Sequence, residues 1–186
     1  MKTKNFFSIA SLIICGLVCV VSVNAQKTDN VTLNIKFQPI QSIVVAGSQK
    51  EVNLVYASKN DYANGVQSEQ QNHLTVFSTG GFQVSVSTDK DNFERAGGGT
   101  IPVKDVIVKA NTGTKTNSAT HTFPEVALSK SPQALITADA GGNELTYNVT
   151  YDNTAAGSGY KYINNYIHDD SETLYTATVT YTIATN

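Results

Sequence analysis

Residues 73–88 read HLTVFSTGGFQVSVST. Leu74 and Val76, then Phe82, Val84 and Val86, place an apolar side chain at every second position on either side of Ser78-Thr79-Gly80-Gly81. Successive side chains leave a strand on opposite faces, so a period of two marks strands with one buried face. The stretch predicts a hairpin at the centre of a sheet, its glycines supplying the positive φ of a tight turn.

The same period extends outward in both directions. Candidate strands are residues 31–37, 42–45, 51–57, 73–78, 82–88, 103–109, 134–138, 145–151 and 175–184. Turn chemistry separates them at Ala46-Gly47-Ser48, Asn64-Gly65, Gly97-Gly98-Gly99, Gly141-Gly142-Asn143 and Gly157-Ser158-Gly159. Residues 58–72 and 111–122 are polar and read as loops. Many short strands and little helix predict an all-β antiparallel sandwich or barrel. Leu145, Tyr147, Val149 and Tyr151 alternate with polar neighbours, as do Ala177, Val179, Tyr181 and Ile183, and the last strand is expected to close the core. Its Thr176, Thr178, Thr180 and Thr182 face reflects the fit of threonine to a solvated strand.

The chain opens with Lys2 and Lys4, an apolar run from about Ile9 to Val23, and Val23-Asn24-Ala25 before Gln26. This is the pattern of a secretion signal cleaved after Ala25, and it predicts removal of residues 1–25 with no transmembrane anchor afterwards. Ile14 and Val18 precede Cys15 and Cys19, where a lipoprotein signal needs a small residue, so no lipid anchor is expected. Removal leaves 161 residues, 26–186, without cysteine, methionine or tryptophan. A secreted domain of that size without disulfides is held by burial alone, and a single domain is expected. Losing the two lysines takes the formal charge from −2 to −4, and Arg95 is the sole arginine. That balance excludes a surface built to neutralise nucleic-acid phosphates.

The mature chain then begins with Val31, Leu33, Ile35 and Phe37 alternating against Thr32, Asn34 and Lys36. Each such side chain contributes roughly 1.5–3 kcal/mol when fully buried, so the four contribute on the order of 6–12 kcal/mol wherever they dock. The strand has two destinations: its own sheet, or a groove on a neighbouring copy. Pro39 follows at once and denies a ladder donor, marking a bend. The run from Asn30 to Ile40, with its alternating strand and following proline, resembles the start of mature major pilins of the chaperone-usher type, especially the colonisation-factor class. The resemblance implies an immunoglobulin-like β-sandwich lacking one strand. It further implies that residues 26–38 act as a donor strand, with Val31, Leu33, Ile35 and Phe37 filling a groove on the next subunit.

Motifs that carry catalysis are not found. His73, His121 and His168 lack the close spacing of a zinc site, Gly97-Gly98-Gly99 leads into a strand without a phosphate-loop lysine, and no Gly-x-Ser-x-Gly elbow occurs. No enzyme activity, cofactor or resident metal is expected. Asp89, Asp91 and Glu94, and Asp169, Asp170 and Glu172, are acidic turns of a kind that can attract Ca²⁺ without matching a calcium loop. Tyr160, Tyr162 and Tyr166 lie among glycines and amides, a mixture that can stack on sugars, and form a candidate ligand surface; the same tyrosines can instead cover the end of the core. The expectation is a secreted structural subunit of a bacterial surface filament or matrix, self-associating through its N-terminal strand. The competing expectation is a monomeric module that adheres to glycans or surfaces.

Overall fold

The computed structural model describes residues 26–168 and 172–186. The expected secretion signal, residues 1–25, lies outside the described residues, as do Asp169 and Asp170 of the second acidic turn. The chain divides into two units, Met1–Lys36 and Phe37–Asn186. In the first, residues 26–36 form no regular secondary structure and are exposed throughout.

The second unit is built from β1 (Gln41–Val45), α1 (Lys59–Asn64), β2 (Gln67–Ser78), β3 (Phe82–Thr88), β4 (Asn92–Glu94), β5 (Thr100–Pro102), β6 (Ile107–Thr112), β7 (His121–Thr122), β8 (Val126–Ala127), β9 (Gln133–Ala138), β10 (Gly142–Asp152) and β11 (Val179–Thr185). One sheet has the order β1-β2-β10-β6-β8 and the other β11-β3-β9-β7, while β4 and β5 form a separate ribbon. Every pairing is antiparallel, and the two sheets enclose one core. The protein is an all-β sandwich, as the period-two pattern predicts.

Leu74 and Val76 of β2, Val108 of β6, and Leu145, Tyr147 and Val149 of β10 face Phe82, Val84 and Val86 of β3 and Leu135, Ile136 and Ala138 of β9. The predicted hairpin at 73–88 is corrected by this arrangement. β2 pairs with β1 and β10, and β3 with β11 and β9, so the two strands belong to different sheets. Residues 79–81 carry the chain across the core. Both strands carry an apolar run on one face, and facing each other across the sandwich buries both runs, whereas lying side by side would need a further layer to cover them. The turn is pinned where Thr79 N–H donates to Ile40 O at 3.1 Å and Ser78 Oγ donates to Gly80 O at 2.7 Å.

Other expectations are also revised. Residues 51–57 keep their alternation, with Val52, Leu54 and Tyr56 half-buried between exposed neighbours, yet they join no ladder. Residues 31–37 are not in a ladder either. Residues 103–105 form a 3-10 turn, and the strand starts at Ile107. Within the expected loop 58–72 stand α1 and the first half of β2, the helix being started by a capping box between Ser58 and Asp61. The last strand begins at Val179, because Thr176 is taken by a bridge to Glu94 of the β4–β5 ribbon.

Candidate functional site

Val31, Leu33, Ile35 and Phe37 are 90%, 86%, 77% and 91% exposed. Four large apolar side chains at alternate positions are thus left in water, which a folded chain avoids unless another surface is to cover them. The chain is tied into the second unit from Ile40 onward, where Ile40 N–H donates to Thr79 Oγ1 at 3.0 Å.

The second unit has a matching deficiency of its own. β1 and β11 each have a ladder partner on one side only, and they approach each other along one side of the sandwich. Inward-facing residues of their partners are fully buried: Leu74 and Val76 on β2, Phe82, Val84 and Val86 on β3. Those of the edges themselves, Ile43 and Val45 on β1 and Val179, Tyr181 and Ile183 on β11, pack on the core but stay half-buried. The result is a seam with open backbone ladders and an incompletely covered apolar floor. On the opposite side, β7 and β8 are two residues each, too short to present a template. An extended segment added at the β1–β11 seam would gain ladder bonds and cover that floor, which is β-strand addition.

A polar chain, buried at its centre and half-buried at its ends, crosses the sandwich at this seam. Gln49 Nε2 donates to Gln71 O at 3.0 Å, which turns its Oε1 toward His73 Nδ1 at 2.9 Å. His73 Nε2 is 3.0 Å from the Tyr151 hydroxyl, which is 2.6 Å from the Tyr181 hydroxyl. The two tyrosine rings stand edge-on to the imidazole, both at 5.8 Å. His73 is 1% exposed, and burial pushes its pKa below the ordinary 6.5. Burial likewise raises the pKa values of Tyr151 and Tyr181.

His73 reaches the core through a bulge. Leu74 pairs with Tyr147 and Gln70 with Val149, so β2 spends four steps where β10 spends two. Asn72 sits at φ 49° within the bulge, and its Oδ1 accepts from Thr114 N–H at 2.8 Å while its own N–H donates to Asn148 Oδ1 at 2.8 Å. The extra residues turn both His73 and Leu74 inward. Strict alternation places His73 on the face opposite Leu74, so the sequence carries no signal for its role beyond Asn72, a residue suited to the left-handed conformation.

The tyrosine segment divides. Tyr160 and Tyr166 are exposed, but Tyr162 is 7% exposed and cannot serve the predicted surface. Its hydroxyl donates to Asp105 Oδ2 at 2.7 Å, beside Lys161 Nζ at 2.6 Å on the same oxygen. Asn153 Nδ2 donates to Asp105 O at 3.0 Å, and the Tyr56 hydroxyl donates to Asn153 Oδ1. Burial raises the Tyr162 pKa, with Asp105 adding to it, and raises that of Tyr56 to about 12. This network fastens residues 153–162 over one end of the core. Gly157 belongs to it, because a Cβ there would overlap the Asn153 carboxamide and the Tyr56 hydroxyl.

The first acidic turn has structural partners: Asp89 Oδ1 accepts from Thr178 N–H at 2.8 Å, and Glu94 pairs with Lys90. His73, His121 and His168 are held apart, in the core, against Phe123 and at the surface respectively. Among the described residues no three His, Cys, Asp or Glu side chains converge as metal ligands, and no helix is long and apolar enough to cross a membrane. No family model matches the chain, and no curated protein matches it.

Proposed function

We propose that this protein is a secreted, non-enzymatic structural subunit of a bacterial surface filament or matrix, assembled by strand complementation between copies. Residues 31–37 of one copy enter the β1–β11 seam of the next, extending the ladders and covering the seam's apolar floor. The observation that carries the reading is the near-complete exposure of Val31, Leu33, Ile35 and Phe37 at alternate positions. Their burial contributes on the order of 6–12 kcal/mol before the cost of ordering the segment is subtracted. The half-buried inner faces of β1 and β11 support it as the receiving surface. No covalent chemistry is needed.

The test is light scattering and negative-stain microscopy of the chain from residue 26 onward, beside the same chain lacking residues 26–38. Filaments or ladders from the first and folded monomers from the second are expected. A compact monomer in the first, unfolding when truncated, would assign the strand to its own sheet. Attention would then pass to a monomeric glycan-binding role at Tyr160 and Tyr166, which remain exposed.

A further inference from the structure

The chain Gln49–His73–Tyr151–Tyr181, buried at His73 and Tyr151, joins the turn after β1, the β2–β10 side of the sandwich, and β11. It therefore ties together the two edges that border the seam. We propose that this chain is a proton-operated latch: with His73 neutral it holds the two sheets together at the seam, and with His73 doubly protonated it lets them part and admits an incoming strand. The proposal rests on the strand-complementation reading and adds its regulation.

The direction of each hydrogen bond follows from one end. Gln49 Nε2 is committed to Gln71 O, so Oε1 accepts from His73 Nδ1–H. His73 Nε2 must then accept, and the Tyr151 hydroxyl donates to it. The Tyr151 oxygen accepts in turn from the Tyr181 hydroxyl, completing a chain in which every proton has one acceptor. A solvent proton taken up at Nε2 reverses the far half. Tyr151 must accept from Nε2–H and turn its own hydrogen toward Tyr181, whose hydroxyl has no other partner among the described residues. The Tyr181 O–H is left without an acceptor among the described residues, and a cation stands in apolar surroundings.

The groups facing the imidazole are Gln49 from the turn after β1, Tyr151 from β10 and Tyr181 from β11, none of them an anion at neutral pH. Nothing in that ring of neighbours compensates the imidazolium. The unfolded chain binds this proton more readily than the folded one, because burial holds the folded pKa below 6.5. Stability contributed by the neutral chain is therefore complete above pH 6.5 and is lost as the pH falls toward the folded pKa. β11 stays in its own sheet throughout, held by the ladder from Val179–Thr88 to Thr185–Phe82, so what loosens is the contact between sheets.

The experiment uses residues 26–186 carrying Ile35→Asp as an acceptor that cannot donate, and a fluorescent synthetic peptide of residues 26–38 as the probe. Peptide uptake is expected to quicken severalfold between about pH 7.5 and about pH 5, and to lose this dependence in the added His73→Gln variant. Uptake that ignores pH, or a His73→Gln variant that retains the response, overturns the latch while leaving strand complementation intact. A peptide bound at neither pH overturns strand complementation and the latch with it. Nitrogen-15 NMR of the His73 ring in the otherwise unaltered acceptor tests the latch without relying on a His73 substitution. The Nδ1–H tautomer titrating below 6.5 is expected, and an Nε2–H tautomer or an ordinary pKa overturns it.

Discussion

Among the described residues Tyr147 is the largest fully buried side chain, and its hydroxyl has no hydrogen-bond partner there. Burial alone raises its pKa to about 12. Phe82, Phe123 and His121 surround the ring, and His121 Nε2 likewise has no partner among the described residues. A buried polar atom left unpaired costs about 1–3 kcal/mol, and removing it without changing the ring's shape recovers part of that cost. Tyr147→Phe is accordingly expected to stabilise the fold by about 1 kcal/mol, read as a higher urea midpoint at an unchanged slope. A lower midpoint would mean that the hydroxyl is satisfied in solution. Tyr151 is buried and Tyr181 half-buried, their hydroxyls are paired with each other, and the same change there is not expected to stabilise.

Edges and bulges decide what the strands can do. Two of the register irregularities, at Asn72 on β2 and at Leu135 on β9, each turn two consecutive residues inward, His73 with Leu74 and Leu135 with Ile136. Without the first, the polar chain across the seam could not form. Strand 31–37 bears the opposite character, a regular alternation with no partner. A carboxylate at its middle must be desolvated on docking with no cation among the apolar residues of the seam floor. Ile35→Asp is expected to abolish assembly while the subunit folds as before, with sedimentation reporting monomer and far-UV circular dichroism unchanged. Normal assembly by this variant would sink the donor-strand reading.

On the scale of the molecule, the core lies wholly within Phe37–Asn186, and the residues that fill it come from both sheets. Residues 26–36 add no buried side chain. Deleting them is therefore expected to change the stability of the monomer by no more than about 0.5 kcal/mol, the ordinary range for surface changes, as measured by urea unfolding at a concentration where the full chain is monomeric.

The period-two pattern was enough to place β1, β3, β9 and β10 within a residue or a few of their observed ends and to establish an all-β sandwich, because burial on one face of a strand is a local property written into every second residue. The alternation of Val31, Leu33, Ile35 and Phe37 was legible for the same reason, but their exposure was not. Partnership was not. Whether 73–88 folds as a hairpin or crosses between sheets, whether 51–57 finds a ladder, and whether Tyr162 faces solvent or Asp105 depend on residues far away in the chain that present identical local patterns. The sequence by itself determined which side chains seek burial; only the tertiary structure decided which strands meet, where the bulge turns His73 inward, and which edge is left open, because pairing and register are settled by the packing of the whole core.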